Sequence, residues 1–218
     1  MRSVWSIAAR FAQLIAGLVL YGFSAALLVR ARLGLDPWDV FHQGLARHSG
    51  LAIGTWIVIV GVAVLLLWIP LRQRPGIGTL CNAVLIGITL NVALDHLPEV
   101  HGLPLRWAYL LAGIVLCGIA TGAYIGAQFG PGPRDGLMVG LAGRGHSIRV
   151  VRTAMEATVL VTGAILGGTV GPGTVLFALT IGPIAHVTIP ALSWDLATPT
   201  LRSARARAAR REEACASG

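Results

Sequence analysis

Five stretches of this 218-residue chain contain no charged residue over lengths comparable to the thickness of a membrane. About 20 consecutive apolar residues carry an α-helix across the hydrocarbon core of a bilayer. Only 12% of the residues are charged, which is about half the fraction in an ordinary soluble domain. The sequence therefore predicts an all-α integral membrane protein. Its uncharged stretches are residues 11–29, 50–71, 75–94, 107–133 and 157–194.

The coarse prediction is six transmembrane helices, because the last stretch is long enough for two helices and is interrupted by "GGTVGPG". The first apolar run is too long for the hydrophobic part of a signal peptide, so we expect a retained span. A single transmembrane domain is predicted over residues 1–201, followed by an Arg-rich, disordered cytoplasmic tail over 202–218. The six helices are predicted near residues 8–29, 51–71, 76–96, 105–128, 149–168 and 172–193.

The formal net charge of +8 comes from 17 arginines, since the chain contains no lysine. In a soluble protein this balance would favour nucleic-acid binding, but in a membrane protein arginines accumulate on the cytoplasmic side. With the N-terminus inside the cell, thirteen arginines fall on the inner side and four on the outer side. We therefore predict two cytoplasmic termini, the lipid bilayer as surrounding partner, and no nucleic acid. The four outer arginines are Arg30, Arg32, Arg47 and Arg106.

The second half of the chain repeats the pattern of the first half. The segments "LGLDPWDVFHQGLA" (33–46) and "FGPGPRDGLMVGLA" (129–142) share G-x-x-P-x-D, followed by G-L-A at the same spacing. Further along, "GIGT" (76–79) matches "GPGT" (171–174). Each unit contains three predicted spans, and because three is odd the second unit must enter the bilayer from the opposite side. The sequence predicts two inverted three-helix repeats, over about residues 8–97 and 104–193.

Each P-x-D segment has the chemistry of a helix start. Aspartate is a preferred N-cap, proline suits the first helical position and an acidic residue suits the first turn. Short helices are therefore predicted over about residues 37–47 and 133–143, each broken or re-entrant after the first span of its repeat. Two readings remain open. The residues either only start these helices, or the two helix starts meet inside the membrane and form a polar centre for one substrate with unlike ends.

Other polar residues in the predicted spans are further candidates. Arg149, Arg152 and Glu156 share one helical face, where Glu156 either serves a substrate pathway or forms a salt bridge with Arg152. Asn91 and His186 occupy matching positions in the two repeats, where they form an interhelical hydrogen bond or face the centre. The candidate substrate pathway comprises Asp36, Trp38, Asp39, His42, Asn91, Arg134, Asp135, Arg149, Arg152, Glu156 and His186.

Neither a metal nor a cofactor is predicted, because no His, Cys, Asp or Glu group has metal-ligand spacing. The scattered cysteines Cys81, Cys117 and Cys215 are expected to be packing residues without a disulfide. The small residues of "AGLVLYG" and "AGIVLCG" fit either a homodimer contact or packing within one chain.

A family resemblance rests on "GLDPWDVFHQGLA", "GPGPRDGLM", "SIRVVRTAMEATVLVTGAILGGTVGPGTVLFALTIGP" and the duplicated Gly-rich helix starts. These segments resemble the YczE/YyaS/YitT-like family of bacterial integral membrane proteins, over about residues 5–195. The resemblance implies a multi-span protein of the bacterial cytoplasmic membrane. It implies no particular biochemical activity.

Three classes of function are compatible with these patterns. The favoured one is a secondary transporter of a small molecule or ion, with a polar centre at the repeat interface. The alternative is a non-transporting membrane partner, chaperone or sensor for a membrane-associated enzyme complex. An intramembrane enzyme is the weakest, because no nucleophile–base set can be assembled, and we expect that the protein is not an enzyme.

Overall fold

The computed structural model describes residues 2–145 and 147–194. The predicted tail over residues 202–218, which includes Cys215, lies outside the described residues. Within the described part the protein consists of helices and short connections without a β-strand, which confirms the all-α prediction. The helices are α1 Arg2–Ala31, α2 Pro37–Ser49, α3 Ile53–Leu67, α4 Ile77–His96, α5 Leu103–Gly126, α6 Pro133–Ala142, α7 Ile148–Ile165 and α8 Pro172–Leu192.

Four of these helices, α1, α4, α5 and α8, are long and apolar enough to cross a membrane. Helices α2 and α3 form a fifth candidate span if the pair is counted as one, with a bend of 114° between them. The prediction of a helical membrane protein is therefore confirmed at the level of four to five spans. The remaining predicted span, over residues 149–168, corresponds to α7, whose 18 residues include Arg149, Arg152 and Glu156. The count of six stays a prediction.

Helices α1 and α5 pack against each other along their length and run in opposite directions. Near the start of α1, Arg10 donates a hydrogen bond from Nε to the carbonyl oxygen of Ala127, just past the end of α5, at 3.0 Å. Towards the end of α1, Leu28 lies against Gly113 in the first half of α5. A Cβ at Gly113 would lie 2.8 Å from Leu28 Cδ2, so the close approach of the two helices depends on glycine there.

Two further long helices, α4 and α8, flank this pair and bind the turns that follow α5 and α1. Helix α4 packs on α1, and the Gly78 N–H donates to the carbonyl oxygen of Phe129, after α5, at 3.0 Å. Helix α8 packs on α5, and the Gly173 N–H donates to the carbonyl oxygen of Leu33, after α1, at 2.8 Å. Each flanking helix therefore packs along one helix of the central pair and holds, with its first residues, the turn after the other one. Helix α4 holds the turn after α5, and α8 holds the turn after α1.

The turns after α1 and α5 lead into the two short helices. Gly34 and Gly130 adopt φ values of +120° and +119°, in a region that glycine occupies without strain. Helix α2 then begins as the sequence predicts: Asp36 is its N-cap and accepts hydrogen bonds from the backbone N–H groups of Trp38 at 2.8 Å and Asp39 at 2.9 Å. The predicted short helices are thus present, with local cap chemistry at the first of them.

Each short helix is held by a close contact that involves a glycine. Trp68, just after α3, covers Gly136 of α6, and its indole N–H donates to the carbonyl oxygen of Pro133 at 3.0 Å. A side chain at Gly136 would collide with the indole ring. On the other side of the bundle, Gly163 of α7 lies against the backbone at Val40 of α2. These contacts bring α6 to α3 and α2 to α7.

The two halves differ in how their last two helices pack. Helix α3 packs closely on α4, where the Gly54 N–H donates to Asn91 Oδ1 at 2.9 Å and Gly54 contacts Gly87. No comparable packing joins α7 to α8 within the described residues. Gly182 of α8 has no neighbour that a Cβ would meet within 4 Å. Only 6% of the apolar 18-residue segment of α8 is buried inside the protein, whereas 44–50% of the corresponding segment is buried in the other three long helices.

Candidate functional site

A cavity of about 430 Å³ lies where the starts of α2 and α6 approach each other. This central cavity is bounded by both short helices and by α1, α4, α5, α7 and α8. Its volume falls in the range of roughly 300–1,000 Å³ that is typical of small-molecule sites. The polar and aromatic side chains that line it are Tyr21, Asp36, Trp38, Asn82, Thr121, Tyr124, Arg134, Asp135, Arg152, Glu156, Phe177 and His186.

Arg134 is the cation nearest to the starts of both short helices. It is the second residue of α6, and its Nη1 lies 3.9 Å from Oδ1 of Asp36, the N-cap of α2. Its guanidinium group also lies over the Trp38 ring, 5.2 Å from the centroid. Arg134 makes no hydrogen bond to another side chain or carbonyl of the described residues. Its N–H donors are therefore available to a ligand in the cavity.

Asp135 occupies the position in α6 that Asp39 occupies in α2, but it bonds differently. Its Oδ2 accepts hydrogen bonds from the Gly132 N–H and from the Tyr124 hydroxyl, each at 3.3 Å. The first bond closes the start of α6, because a glycine N-cap has no side chain to do so. The second ties α6 to α5. Asp135 thus has a clear structural role while it lines the cavity.

Asp39 and His42 are buried near Trp38 and do not line the central cavity. Asp39 Oδ1 is 3.1 Å from His42 Nδ1, and the two side chains are 1% and 3% exposed. His42, together with Trp38 and Arg134, lines a second cavity of about 20 Å³. A cavity of that size accommodates about one water molecule. His42 of this pair therefore borders a separate small cavity, which shares Trp38 and Arg134 with the central one.

The remaining predicted residues divide between the cavity and its surroundings. Arg152 donates from Nε to Glu156 Oε1 at 2.9 Å, which is the salt bridge that was one of the two sequence alternatives, and both residues line the cavity. His186 lines the cavity as well. Asn91 lies elsewhere, in its hydrogen bond to α3, and Arg149 is exposed and away from the cavity.

The structure thus brings seven of the eleven candidates to one cavity, and leaves Asp39, His42, Asn91 and Arg149 outside its wall. It also adds residues that the sequence reasoning missed, above all Tyr21 of α1 and Tyr124 of α5. Their rings meet edge to face at 6.2 Å between centroids. The available signal was a phenol inside each of two apolar helices, since polar groups at such positions tend to face the protein interior.

The candidate site contains no evident metal centre. Across residues 2–145 and 147–194, no group of three or more His, Cys, Asp and Glu side chains could hold a metal ion. The side chains that line the cavity provide one available guanidinium, several carboxylates and four aromatic rings. Groups of these kinds can bind and orient a small polar ligand.

Apolar helices of membrane-spanning length around a cavity with several polar side chains define an integral membrane protein. More particularly, residues 8–190 match the Family of unknown function (DUF6198), and the chain belongs to this family. No solved structure matches the chain.

Named relatives agree with this assignment and confirm the family resemblance. The chain is 41% identical over 174 residues to an uncharacterized protein of Haemophilus influenzae, which covers 79% of this chain and 80% of the relative. It is 35% identical over 178 residues to the uncharacterized membrane protein YczE of Bacillus subtilis, with 80% and 83% covered. It is 29% identical over 181 residues to the uncharacterized protein YyaS of Bacillus subtilis, with 80% and 89% covered.

Proposed function

We propose that this protein is a secondary transporter that carries a small molecule or ion through the central cavity. The observation that carries this proposal is the approach of Arg134 to Asp36, which joins the starts of two short helices from different halves of the chain. Ionisable groups inside a membrane are costly to bury, and they commonly mark substrate or ion pathways. Interrupted helices whose starts point at a substrate are a recurring feature of secondary transporters.

The inverted repeat is part of this proposal. Helices α1 and α5 hold matching places in the two halves and run antiparallel, as an inverted arrangement requires. The hydrogen bonds Gly78 to Phe129 and Gly173 to Leu33 are reciprocal, because each joins the last long helix of one half to the first turn of the other. Both features support a pseudo-two-fold axis in the membrane plane.

Two arginine contacts support six membrane crossings. After α6, Arg144 donates to the carbonyl oxygen of Pro70, which follows α3, at 2.9 Å. At the end of α2, Arg47 donates to the carbonyl oxygen of Gly167, which follows α7. The first contact joins the residues just after α6 to the residues just after α3. The second joins the last turn of α2 to the residues just after α7, so the start of each of α3 and α7 lies near the end of the other. This arrangement fits one crossing each for α3 and α7.

The unequal packing of the two halves is consistent with one conformation of a transporter, in which the site is accessible from one side of the membrane. In the alignment of the halves, Gly182 takes the place of Gly87, and His186 takes the place of Asn91. Gly87 and Asn91 are packed against α3, whereas Gly182 faces open space and His186 lines the cavity. We infer that the gap between α7 and α8 is the access route to the site in this state.

The substrate that suits this lining is a small molecule with unlike ends. Arg134 offers unused N–H donors to a carboxylate or another anionic group. Glu156 and Asp135 place carboxylates in the same cavity, where an ammonium group would be stabilised. The aromatic rings of Tyr21 and Trp38 provide apolar surface between them. A small zwitterion is therefore the first substrate class to test.

The deciding experiment is uptake into proteoliposomes made from the purified protein. Vesicles are incubated with a panel of amino acids, organic acids and organic amines, and their contents are measured by mass spectrometry against protein-free vesicles. We expect at least one compound to accumulate. With that compound, Arg134→Gln should lower uptake about tenfold or more, because a charge-assisted hydrogen bond contributes roughly 1.5–3 kcal/mol.

Arg74→Gln is the matched control, because Arg74 is an exposed arginine in the connection between α3 and α4. Its uptake should equal that of the unmodified protein. If Arg134→Gln transported as well as Arg74→Gln, the central cavity would not be the pathway. If the folded protein transported nothing in the panel, the alternative of a non-transporting membrane partner would be favoured.

A further inference from the structure

Two buried carboxyl groups lie side by side at the start of α2. Asp36 is the N-cap and Asp39 is the third helical residue, and the two residues are 3% and 1% exposed. Asp36 Oδ1 accepts a hydrogen bond from the backbone N–H of Asp39 at 2.9 Å, so the two carboxyl groups belong to one tight turn. Asp39 Oδ1 has His42 as its partner, but Asp39 Oδ2 accepts no hydrogen bond from any described residue. Two carboxylate groups repel each other, and they form a hydrogen bond only when one of them carries a proton.

One permanent positive charge faces the two carboxyl groups. Among the described residues Arg134 is the one arginine near the pair, 3.9 Å from Asp36, whereas the buried His42 beside Asp39 is a cation only when it is itself protonated. On α7, Arg152 and Glu156 pair with each other instead. A buried carboxylate without a counter-charge is strongly disfavoured. The titratable and charged groups of neighbouring elements that face the pair are Tyr21 of α1, His42 of α2, Cys117 of α5 and Arg134 of α6.

We propose that Asp36 and Asp39 together bind one proton, held between their carboxyl groups, and that this pair is the coupling site of the transporter. The proton passes from water to a carboxylate oxygen, so that one carboxyl becomes neutral and donates to the other. This donation satisfies Asp39 Oδ2 and leaves one negative charge opposite Arg134. The coupling part of the proposal rests on the proposed transport function, whereas proton binding by the pair does not.

Arg134 links the proton to the substrate. When an anionic substrate group draws the guanidinium away from Asp36, the carboxyl pair loses its counter-charge and retains its proton more strongly. Proton binding in turn lowers the negative charge of the pair from two to one, which weakens its attraction for Arg134 and makes the guanidinium easier for the substrate to draw away. Substrate and proton therefore favour each other's binding, and thermodynamic linkage makes this effect reciprocal.

Infrared spectroscopy of the purified protein in lipid nanodiscs tests proton binding without any substrate. A protonated carboxylic acid gives a carbonyl band that a carboxylate lacks, and exposed acids are ionised at neutral pH. We expect such a band at neutral pH in the unmodified protein. It should be absent in Asp39→Asn and in Asp36→Asn. It should persist in the control Asp95→Asn, which changes an exposed aspartate near the end of α4.

Both variants are suited to folding, so a negative result can be interpreted. In Asp39→Asn the amide can donate to Asp36 in place of the proton, and in Asp36→Asn the N-cap stays favourable because asparagine caps as well as aspartate. Thermal unfolding of each variant confirms that it is folded. The proposal is overturned if the unmodified protein has no band, or if the band survives in both variants.

Flux measurements separate this proposal from the proposed function. If transport is driven by a pH gradient in the unmodified protein, we expect Asp39→Asn to lose that drive and to retain exchange of substrate across the membrane. Gradient-driven uptake that persists unchanged in Asp39→Asn overturns the coupling role. A band that depends on Asp36 and Asp39 in a protein that transports nothing overturns the transport function and leaves the proton site standing.

Discussion

Arg134 Nη1 and Asp36 Oδ1 lie 3.9 Å apart, although the helices that precede them, α1 and α5, run in opposite directions. The two residues meet because the chain turns back at Gly34 and at Gly130, and both turns lead towards the same point. Two short helices then begin beside each other inside the bundle. Charged groups from distant parts of the chain are thereby brought to one cavity.

The contact between these two residues should be measurable in a double-mutant cycle. We expect Arg134→Gln to destabilise the protein because it leaves the buried Asp36 without its partner, and Asp36→Asn to do so less because Arg134 is 28% exposed. The double variant should lose less than the sum of the two, with a coupling energy of about 0.5–3 kcal/mol. Unfolding in detergent at increasing denaturant provides the free energies. Strictly additive losses would contradict an interaction between the two side chains.

Two glycines at matching positions should respond in opposite ways to alanine. Gly87→Ala should destabilise the protein by about 1–3 kcal/mol, because the added Cβ would meet the Gly54 backbone. Gly182→Ala should be neutral or slightly stabilising, since the space beside it is open and alanine favours a helix. Thermal unfolding of the two variants in the same detergent gives the comparison. Equal losses would mean that α8 packs more tightly than the structure describes.

The Arg152–Glu156 salt bridge should contribute little to stability. Its side chains are 56% and 42% exposed, and pairs of this kind are worth on the order of 0.5 kcal/mol or less. We expect Glu156→Gln and Arg152→Gln to unfold within about one degree of the unmodified protein. Transport by Glu156→Gln should nevertheless fall, because the variant removes a carboxylate from the cavity. A large stability loss with unchanged transport would assign Glu156 a structural role alone.

Cysteine labelling tests the inverted repeat. Ser49 is the exposed last residue of α2, and Arg144 is an exposed residue in the connection after α6, so both are accessible probe positions. In a background without native cysteines, a membrane-impermeant maleimide should label Ser49→Cys in intact cells. It should label Arg144→Cys only after permeabilisation. Labelling of both positions from the same side would exclude the inversion.

Local chemistry explains which parts of the fold could be predicted from the sequence. The start of α2 follows from the side chain of Asp36 and the ring of Pro37, which act on their nearest neighbours in the chain. The apolar spans follow from hydropathy over about 20 residues. Such features need no knowledge of tertiary contacts. For this reason the helices and the first cap agree with prediction to within a few residues.

The composition of the cavity wall was less predictable, because it depends on how each helix is rotated about its axis. Tyr21 and Phe177 belong to helices that are apolar on most sides, so the sequence does not reveal which side faces inward. The gap between α7 and α8 could not be predicted for a similar reason. Helices α4 and α8 have similar hydropathy, although α4 is packed against other helices and α8 buries little of its surface inside the protein.

The contacts beside the two short helices are not interchangeable. In the alignment of the halves, Gly163 stands where the first half has Trp68, and Gly136 stands where it has Val40. Trp68 covers Gly136, whereas Gly163 lies directly against the backbone at Val40 and Phe41. A tryptophan at position 163 would therefore collide with the backbone of α2, so the two halves have to keep different residues at these matching positions.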